Sequence, residues 1–172
     1  MIRVIVTGSE CTGKTTLAEA LADHYSTVTV PEYARQFVID KGVSPKYEDV
    51  ETIARGQIEL EQRMAAQASR LLILDTDLLS TVVYSHHYYG ECPVWIEEEL
   101  RKRAASLYLL ADTDVPWVPD GDQRDRGNQR DELQGLFAQA LSAAGQPTVR
   151  VSGSTPQRLD TATSRIDPLL KD

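Results

Sequence analysis

Short apolar runs alternate along the chain with longer stretches whose apolar positions recur every three or four residues. Ile2–Thr7 (IRVIVT) is β-branched and stops at a glycine, so it reads as a buried strand. Thr27–Val30 (TVTV, stopped by Pro31), Leu71–Leu74 (LLIL), Leu107–Leu110 (LYLL) and Thr148–Val151 read the same way. Between them, Lys14 to about Tyr25 keeps Leu17, Ala20 and Leu21 on one helical face. Glu32–Lys41 and Tyr47–Ser69 are also expected to be helical, separated by the break at Ser44-Pro45. In the second, Val50, Ile53, Ala54 and Ile58 fall at helical spacing. Further helices are expected at Leu78–Tyr89, Trp95–Ala105, about Asp131–Ala144 and Thr155–Leu170.

Strands alternating with helices predict βαβ units, hence an α/β fold with a five-stranded parallel sheet covered by helices on both faces. In such a sheet a ligand binds at the carboxyl ends of the strands. The chain shows no internal repeat and no low-complexity linker, and 172 residues suit one domain of roughly 100–200. A single domain over residues 1–172 is the expectation, with a core large enough to need no disulfide or structural metal.

Charge narrows the choice of partner. Lys plus Arg number 18 against 26 Asp plus Glu, a formal charge of −8. Nucleic-acid binding requires a basic footprint, so it is not expected. The two cysteines, Cys11 and Cys92, form no CxxC pair, which excludes a zinc ribbon or a disulfide scaffold. The opening MIRVIVTGSE turns polar too soon for a secretory leader. No apolar run approaches the roughly 20 residues of a membrane span. A cytoplasmic protein with no membrane partner is expected, and no interface for a second copy is legible.

The first strand ends in Gly8-Ser9-Glu10-Cys11-Thr12-Gly13-Lys14-Thr15, which fills every position of G-x-x-x-x-G-K-[ST] between a strand and a helix. Glycines let backbone N–H groups wrap around phosphates, and the following helix adds the positive end of its dipole. Lys14 is placed to reach the β- and γ-phosphates of a nucleotide, and the Thr15 hydroxyl to bind Mg²⁺. The third strand runs into Asp75, the acidic residue that a magnesium shell asks for at the phosphate edge. Asp77, two residues on, has three open readings: a second metal-shell group, a substrate ligand or a helix N-cap. The turn-rich segment Asp112–Arg130 holds Arg124, Arg126 and Arg130, and its stretch around residues 120–131 is expected to form a lid over the γ-phosphate.

Taken in order, Gly8 to Thr16, Pro31-Glu32-Tyr33-Ala34-Arg35, Asp75-Thr76-Asp77, and Asp114-Val115-Pro116-Trp117 with Asp120-Gly121 and Arg124 resemble the ribosylnicotinamide kinase domain of the NadR family. The resemblance covers nearly the whole chain. It implies a P-loop kinase fold similar to thymidylate and deoxynucleoside kinases, and MgATP-dependent phosphorylation of the 5′-hydroxyl of nicotinamide riboside to nicotinamide mononucleotide. It implies nucleotide contacts from Gly8, Ser9, Glu10, Cys11, Thr12, Gly13, Lys14, Thr15 and Thr16, together with Arg126, Arg130 and Arg158. Cys11 stands where similar loops often carry serine, and Ser152-Gly153-Ser154 leads to Arg158 without an intervening aromatic residue. The adenylyltransferase and DNA-binding domains of bifunctional family members are not expected ahead of the first strand.

By the same resemblance Glu32 is the candidate general base, with Asp75 and Asp77 as rivals and a dipole-stabilised helix glutamate as the plain alternative. Arg35, one turn on, would contact a phosphate or pair with Glu32, and Arg124 is the candidate lid arginine for the transferred group. The implied substrate is a pyridinium cation. Glu10, Glu32, Asp75, Asp77 and Asp120 would surround the loop exit with negative charge, which suits a cation. Tyr33, Tyr84, Tyr88, Tyr89 and Trp117 are the aromatic candidates for stacking on its ring, with Trp117 first. A deoxynucleoside or other riboside kinase, or a non-catalytic ATP/GTP-binding regulator, are the alternatives. His86-His87 is no metal pair, because adjacent helical residues point apart, and Cys92 beside Pro93 is expected to be inert. Thiol alkylation at Cys11 is expected to inhibit ATP turnover, with ATP protecting. Full turnover after complete labelling, checked by peptide mass, would overturn that role.

Overall fold

The computed structural model describes residues 1–117 and 129–171. The strand–helix alternation appears as β1 (Ile2–Thr7), α1 (Lys14–Tyr25), β2 (Thr29–Val30), α2 (Tyr33–Lys41), a 3₁₀ turn (Tyr47–Asp49) and α3 (Val50–Ala65). It continues with β3 (Leu71–Asp75), α4 (Leu78–Tyr89), α5 (Val94–Lys102), β4 (Leu107–Ala111), α6 (Arg130–Ala143), β5 (Thr148–Val151) and α7 (Thr155–Lys171). All sheet pairings are parallel, in the order β2-β3-β1-β4-β5. β1 lies at the centre; the chain passes first to the edge at β2, returns inward to β3, and then crosses to β4 and β5 on the other side. The crevice at that reversal opens where β1 ends and the glycine-rich loop begins.

Period-two alternation along the central strands feeds two separate cores. Val4, Val6, Ile73 and Leu109 point to Leu17 and Leu21 of α1 and Ala162 and Ile166 of α7. Ile5, Leu72, Leu74 and Leu110 point the other way, to Val83 of α4 and Phe137 and Leu141 of α6. A third cluster of Val50, Ala54, Leu78 and Ile96 joins α3, α4 and α5. Strands buried on both faces are near-continuously apolar, which is why they were visible as unbroken runs.

The element ends differ from expectation for local reasons. β2 keeps only Thr29 and Val30 in the ladder, because the Thr27 hydroxyl turns to donate to Leu71 O at 2.6 Å. α3 stops at Ala65, its last turn tightening as Gln67 N donates to Met64 O at 3.0 Å. α5 starts at Val94 with Pro93 as its cap, and α6 begins at Arg130 rather than Asp131. α2 contributes no buried residue to any core. It is held at its start, where the Tyr33 amide donates to Gln57 Oε1 at 2.8 Å. Among the described residues no helix is long and apolar enough to cross a membrane.

Phe137 is fully buried where α6 meets the sheet. Phe137→Ala is expected to lower unfolding stability by about 3–5 kcal/mol. A urea-melt difference under about 1 kcal/mol would show that this face of the core does not depend on it.

Candidate active site

The loop between β1 and α1 closes on itself before it can meet any ligand. Gly8 has φ 131°, and a Cβ there would stand 2.9 Å from Ala111 O, so both conformation and space demand glycine. Gly13 caps α1 in the left-handed region. Thr12 Oγ1 donates to Ser9 O at 2.9 Å, and Lys14 Nζ donates to the same carbonyl at 2.7 Å, spanning the loop. The Ser9 amide donates to Gln134 Oε1 at 3.0 Å. One backbone donor of the loop is therefore committed to α6, and the Ser9 and Thr12 side chains are buried structural groups.

Beside the loop, the Thr15 hydroxyl donates to Asp75 Oδ2 at 2.5 Å, joining the start of α1 to the end of β3. The other carboxylate oxygen, Oδ1, is buried without a hydrogen-bond partner among the described residues. A hydroxyl beside a carboxylate with an orphaned oxygen is an all-oxygen donor set that fits Mg²⁺. Thr76 follows with φ 66°, rare for a β-branched residue, its amide donating to Val6 O at 2.9 Å. That strained turn separates the directions of Asp75 and Asp77.

Asp77 turns inward and is buried. Its Oδ1 accepts from Leu79 N at 3.1 Å, capping α4, and its Oδ2 accepts from the Tyr108 hydroxyl at 2.7 Å. Burial pushes its carboxyl up to about 6, against the pull of the Tyr108 and Leu79 hydrogen bonds and of Arg3, and with the push of Glu61. The Tyr108 hydroxyl is likewise pushed upward, first by burial and then by the Asp77 charge. Of the three readings of Asp77, the N-cap is the one its hydrogen bonds display.

A cleft opens between the loop, α2, α3 and α4. Glu10, Cys11, Lys14, Glu32, Arg35, Asp77, Tyr84 and Tyr89 all line it, so eight of the candidate site residues singled out in the sequence meet on one surface. Glu10 and Glu32 stand there with Lys14 and Arg35, and the buried Asp77 forms part of the wall. Tyr88 stacks on Tyr84 with ring centroids 5.9 Å apart. Glu32 is the N-cap residue of α2, and its side chain makes no capping hydrogen bond to that helix.

Other singled-out residues stand elsewhere. The Tyr33 ring packs over Gly56 of α3, where an added Cβ would meet it at 2.2 Å, and so faces away from the cleft. Trp117 is exposed and does not line it. Arg130 is not a loop arginine but the buried first residue of α6, and its guanidinium donates to Thr113 O and Val115 O. Arg158 is buried too. It donates to Thr12 O at 2.5 Å, Asp112 O at 3.1 Å and Gly153 O at 3.0 Å and pairs with Asp114, bracing the loop from behind. The Gly153 amide, then Arg158, holds the Asp114 carboxyl below its usual range. Asp120, Arg124 and Arg126 lie outside the described residues, as does most of the expected lid.

Two glutamines escaped the sequence reading. Gln134 bridges Ser9 to Ala111 O, and Gln57 ties α3 to Tyr33 N and Pro31 O. Each sits on the buried face of an amphipathic helix. A polar residue at an apolar position was the available signal.

Sheet order, loop and neighbouring aspartate together define a P-loop kinase fold. The crystal structure of NadR protein in complex with NR has a TM-score of 0.80 at 22% identity, covering 97% of this chain and 51% of that one. Thymidylate kinase from Ehrlichia chaffeensis gives 0.68 at 12%, covering 99% and 98%. The chain belongs to the family described as AAA domain, whose model matches residues 3–158. The trifunctional NAD biosynthesis/regulator protein NadR of Escherichia coli is 28% identical over 154 residues, 86% of this chain and 37% of the relative. Its counterpart in Salmonella typhimurium is 27% identical over 144 residues, 80% and 35%. The chain thus has a P-loop kinase fold and is similar to NadR, and it spans about a third of the length of these curated relatives.

The Asp77 shift has a pH consequence. Its folded value lies above the 3.8 of an ordinary aspartate. The stability it contributes is therefore complete below that value and lost as pH rises through about 6. Asp77→Asn is expected to flatten the fall of the urea midpoint between those two pH values. A wild-type slope retained in the variant would overturn the assignment.

Proposed function

We propose that the protein is an ATP-dependent small-molecule kinase that phosphorylates the 5′-hydroxyl of nicotinamide riboside, giving nicotinamide mononucleotide for NAD synthesis. The observation that carries this reading is the lining of the cleft. Glu10, Glu32 and Asp77 outnumber Lys14 and Arg35, and two tyrosines, Tyr84 and Tyr89, stand in the same wall. Such a surface accepts a flat cation better than an anion. Support also comes from the NadR protein whose structure holds NR.

In this reading the loop backbone and Lys14 bind the ATP phosphates, and Lys14 exchanges Ser9 O for them. Thr15 and Asp75 would hold a Mg²⁺, which supplies charge neutralisation for the phosphates. Glu32 takes the proton of the acceptor hydroxyl as its oxygen attacks the γ-phosphorus and ADP leaves. Arg124 and Arg126 are the proposed lid arginines, with Asp120 beside them. Nucleic acid and membrane have no part in the reaction, and a cytoplasmic location follows from the substrates.

ADP release with MgATP, measured against nicotinamide riboside, nicotinic acid riboside, thymidine, deoxycytidine, uridine and no acceptor, tests the reading. Turnover confined to the pyridine ribosides is expected. Turnover with a deoxynucleoside instead would keep the kinase and replace its substrate, and tight nucleotide binding without acceptor-dependent turnover would make it a regulator. Glu32→Gln is expected to lower kcat about 10²- to 10⁴-fold with nucleotide affinity unchanged. Near-normal kcat would pass the base role to Asp75 or Asp77.

A further inference from the structure

Ser85 and Tyr89 form one wall of the cleft, and the chain behind that wall gathers three side chains of a different chemistry. His86 lies in the last turn of α4, Cys92 in the connecting loop and Glu97 in the first turn of α5. Imidazole nitrogen, sulfur and carboxylate oxygen all lie within 4.8 Å of one another. None of the three lines the cleft. We propose that His86, Cys92 and Glu97 form a site for a borderline-soft divalent transition cation of the Zn²⁺ type, separate from the hard-cation edge at Thr15 and Asp75.

The donor set carries the choice of ion. A thiolate and an imidazole select Zn²⁺-like metals over Mg²⁺ and Ca²⁺, which prefer all-oxygen shells. With metal–ligand bonds of about 2.0–2.3 Å, tetrahedral ligand atoms sit about 3.3–3.7 Å apart. The His86–Glu97 pair at 2.7 Å lies just inside that spacing, and the 4.8 Å limit just outside it. Side-chain rotations of about an ångström close the set. Cys92 and Glu97 supply two negative charges and neutral His86 none, which balances a dication. On binding, the Cys92 thiol proton passes to solvent.

The backbone already holds these ligands in place. Gly90 ends α4 with its amide on His86 O at 3.0 Å, and the Ser85 hydroxyl fastens the loop by donating to Glu91 O at 2.6 Å. Ile96 N on Pro93 O at 2.9 Å opens α5. Little chain freedom remains to be lost on binding. His86 and Glu97 keep side-chain exposures of 50% and 34%, so an aqueous ion can enter and a water can complete the shell. A plain His86–Glu97 ion pair accounts for two of the three groups; the half-buried Cys92 thiol, 3.9 Å from Pro93 O, also packs against the Val50–Ile96 cluster, and its approach to the pair is what makes the set of three. A metal here would pin the α4–α5 turn, and with it the Ser85–Tyr89 wall.

Co²⁺ titration of the full chain tests the proposal without reference to catalysis. The titration is run on the wild type and on a Cys11→Ser background, which leaves Cys92 as the remaining thiol. The expected result is a near-ultraviolet thiolate-to-cobalt band that saturates at one equivalent, yields to Zn²⁺ and resists excess Mg²⁺. Cys92→Ser should abolish the band, and His86→Gln or Glu97→Gln should weaken Co²⁺ binding by about tenfold or more. No band, a band that survives Cys92→Ser, or unchanged affinity in both other variants would overturn the site. If Cys92→Ser does not fold, the exposed His86 and Glu97 variants decide alone.

Discussion

One buried amide holds the phosphate loop to the rest of the molecule. Gln134 accepts the Ser9 amide and hydroxyl on its oxygen and donates its nitrogen to Ala111 O at 2.8 Å. The side chain therefore fixes the end of β1 against the end of β4 through a helix more than a hundred residues away. Gly8 must lie flat against Ala111 for that bridge to form, which is why no side chain fits there. An unpaired buried amide is costly, so the bridge is made as a whole or not at all. Arg158 closes the other flank on Thr12. Between them the loop is preorganised from two sides, and a nucleotide would not have to order it.

How much of this was legible from the chain follows from the range of each interaction. The central strands β1, β3 and β4 were readable because both faces are buried, and the loop because its chemistry is local to eight residues. Asp75 was readable because it ends a strand. Gln134 and Gln57 were not, and Arg158 was singled out for a nucleotide rather than for the loop it braces, since each acts on backbone atoms that only the fold brings near. Arg130 looked like one more arginine in a charged loop. Its burial follows from α6 starting one residue early, which turns the guanidinium under Thr113 and Val115. Tyr33 was a candidate as an aromatic face for a cationic ring, but the first turn of α2 sends it to the opposite side, onto Gly56. A glycine inside an otherwise good helix was the hint of that approach.

The three carboxylates near the phosphate loop are separated by what surrounds them. Asp75 meets a hydroxyl and keeps one oxygen without a partner, so it suits a cation. Asp77, two residues later, is used up by a helix and a tyrosine. Glu32 caps α2 just past the end of β2 and stands in the cleft wall. The left-handed turn at Thr76 is what sends two near neighbours into such different surroundings. Backbone geometry here assigns the tasks that residue type alone left open.

α2 adds Ala34, Arg35 and Val38 to the cleft and nothing to any core. The phosphate loop, by contrast, is braced by α6 and α7, whose other residues fill the two main cores. The α2 share of the cleft wall and the two main cores thus draw on different residues, whereas Val50, Tyr84 and Tyr89 serve both the cleft and the packing. Sequence drift in α2 can change what the cleft admits without unfolding the protein, whereas drift around Gln134 would cost both together. In the proposed kinase, such an architecture leaves substrate choice free to diverge while the phosphate chemistry stays fixed.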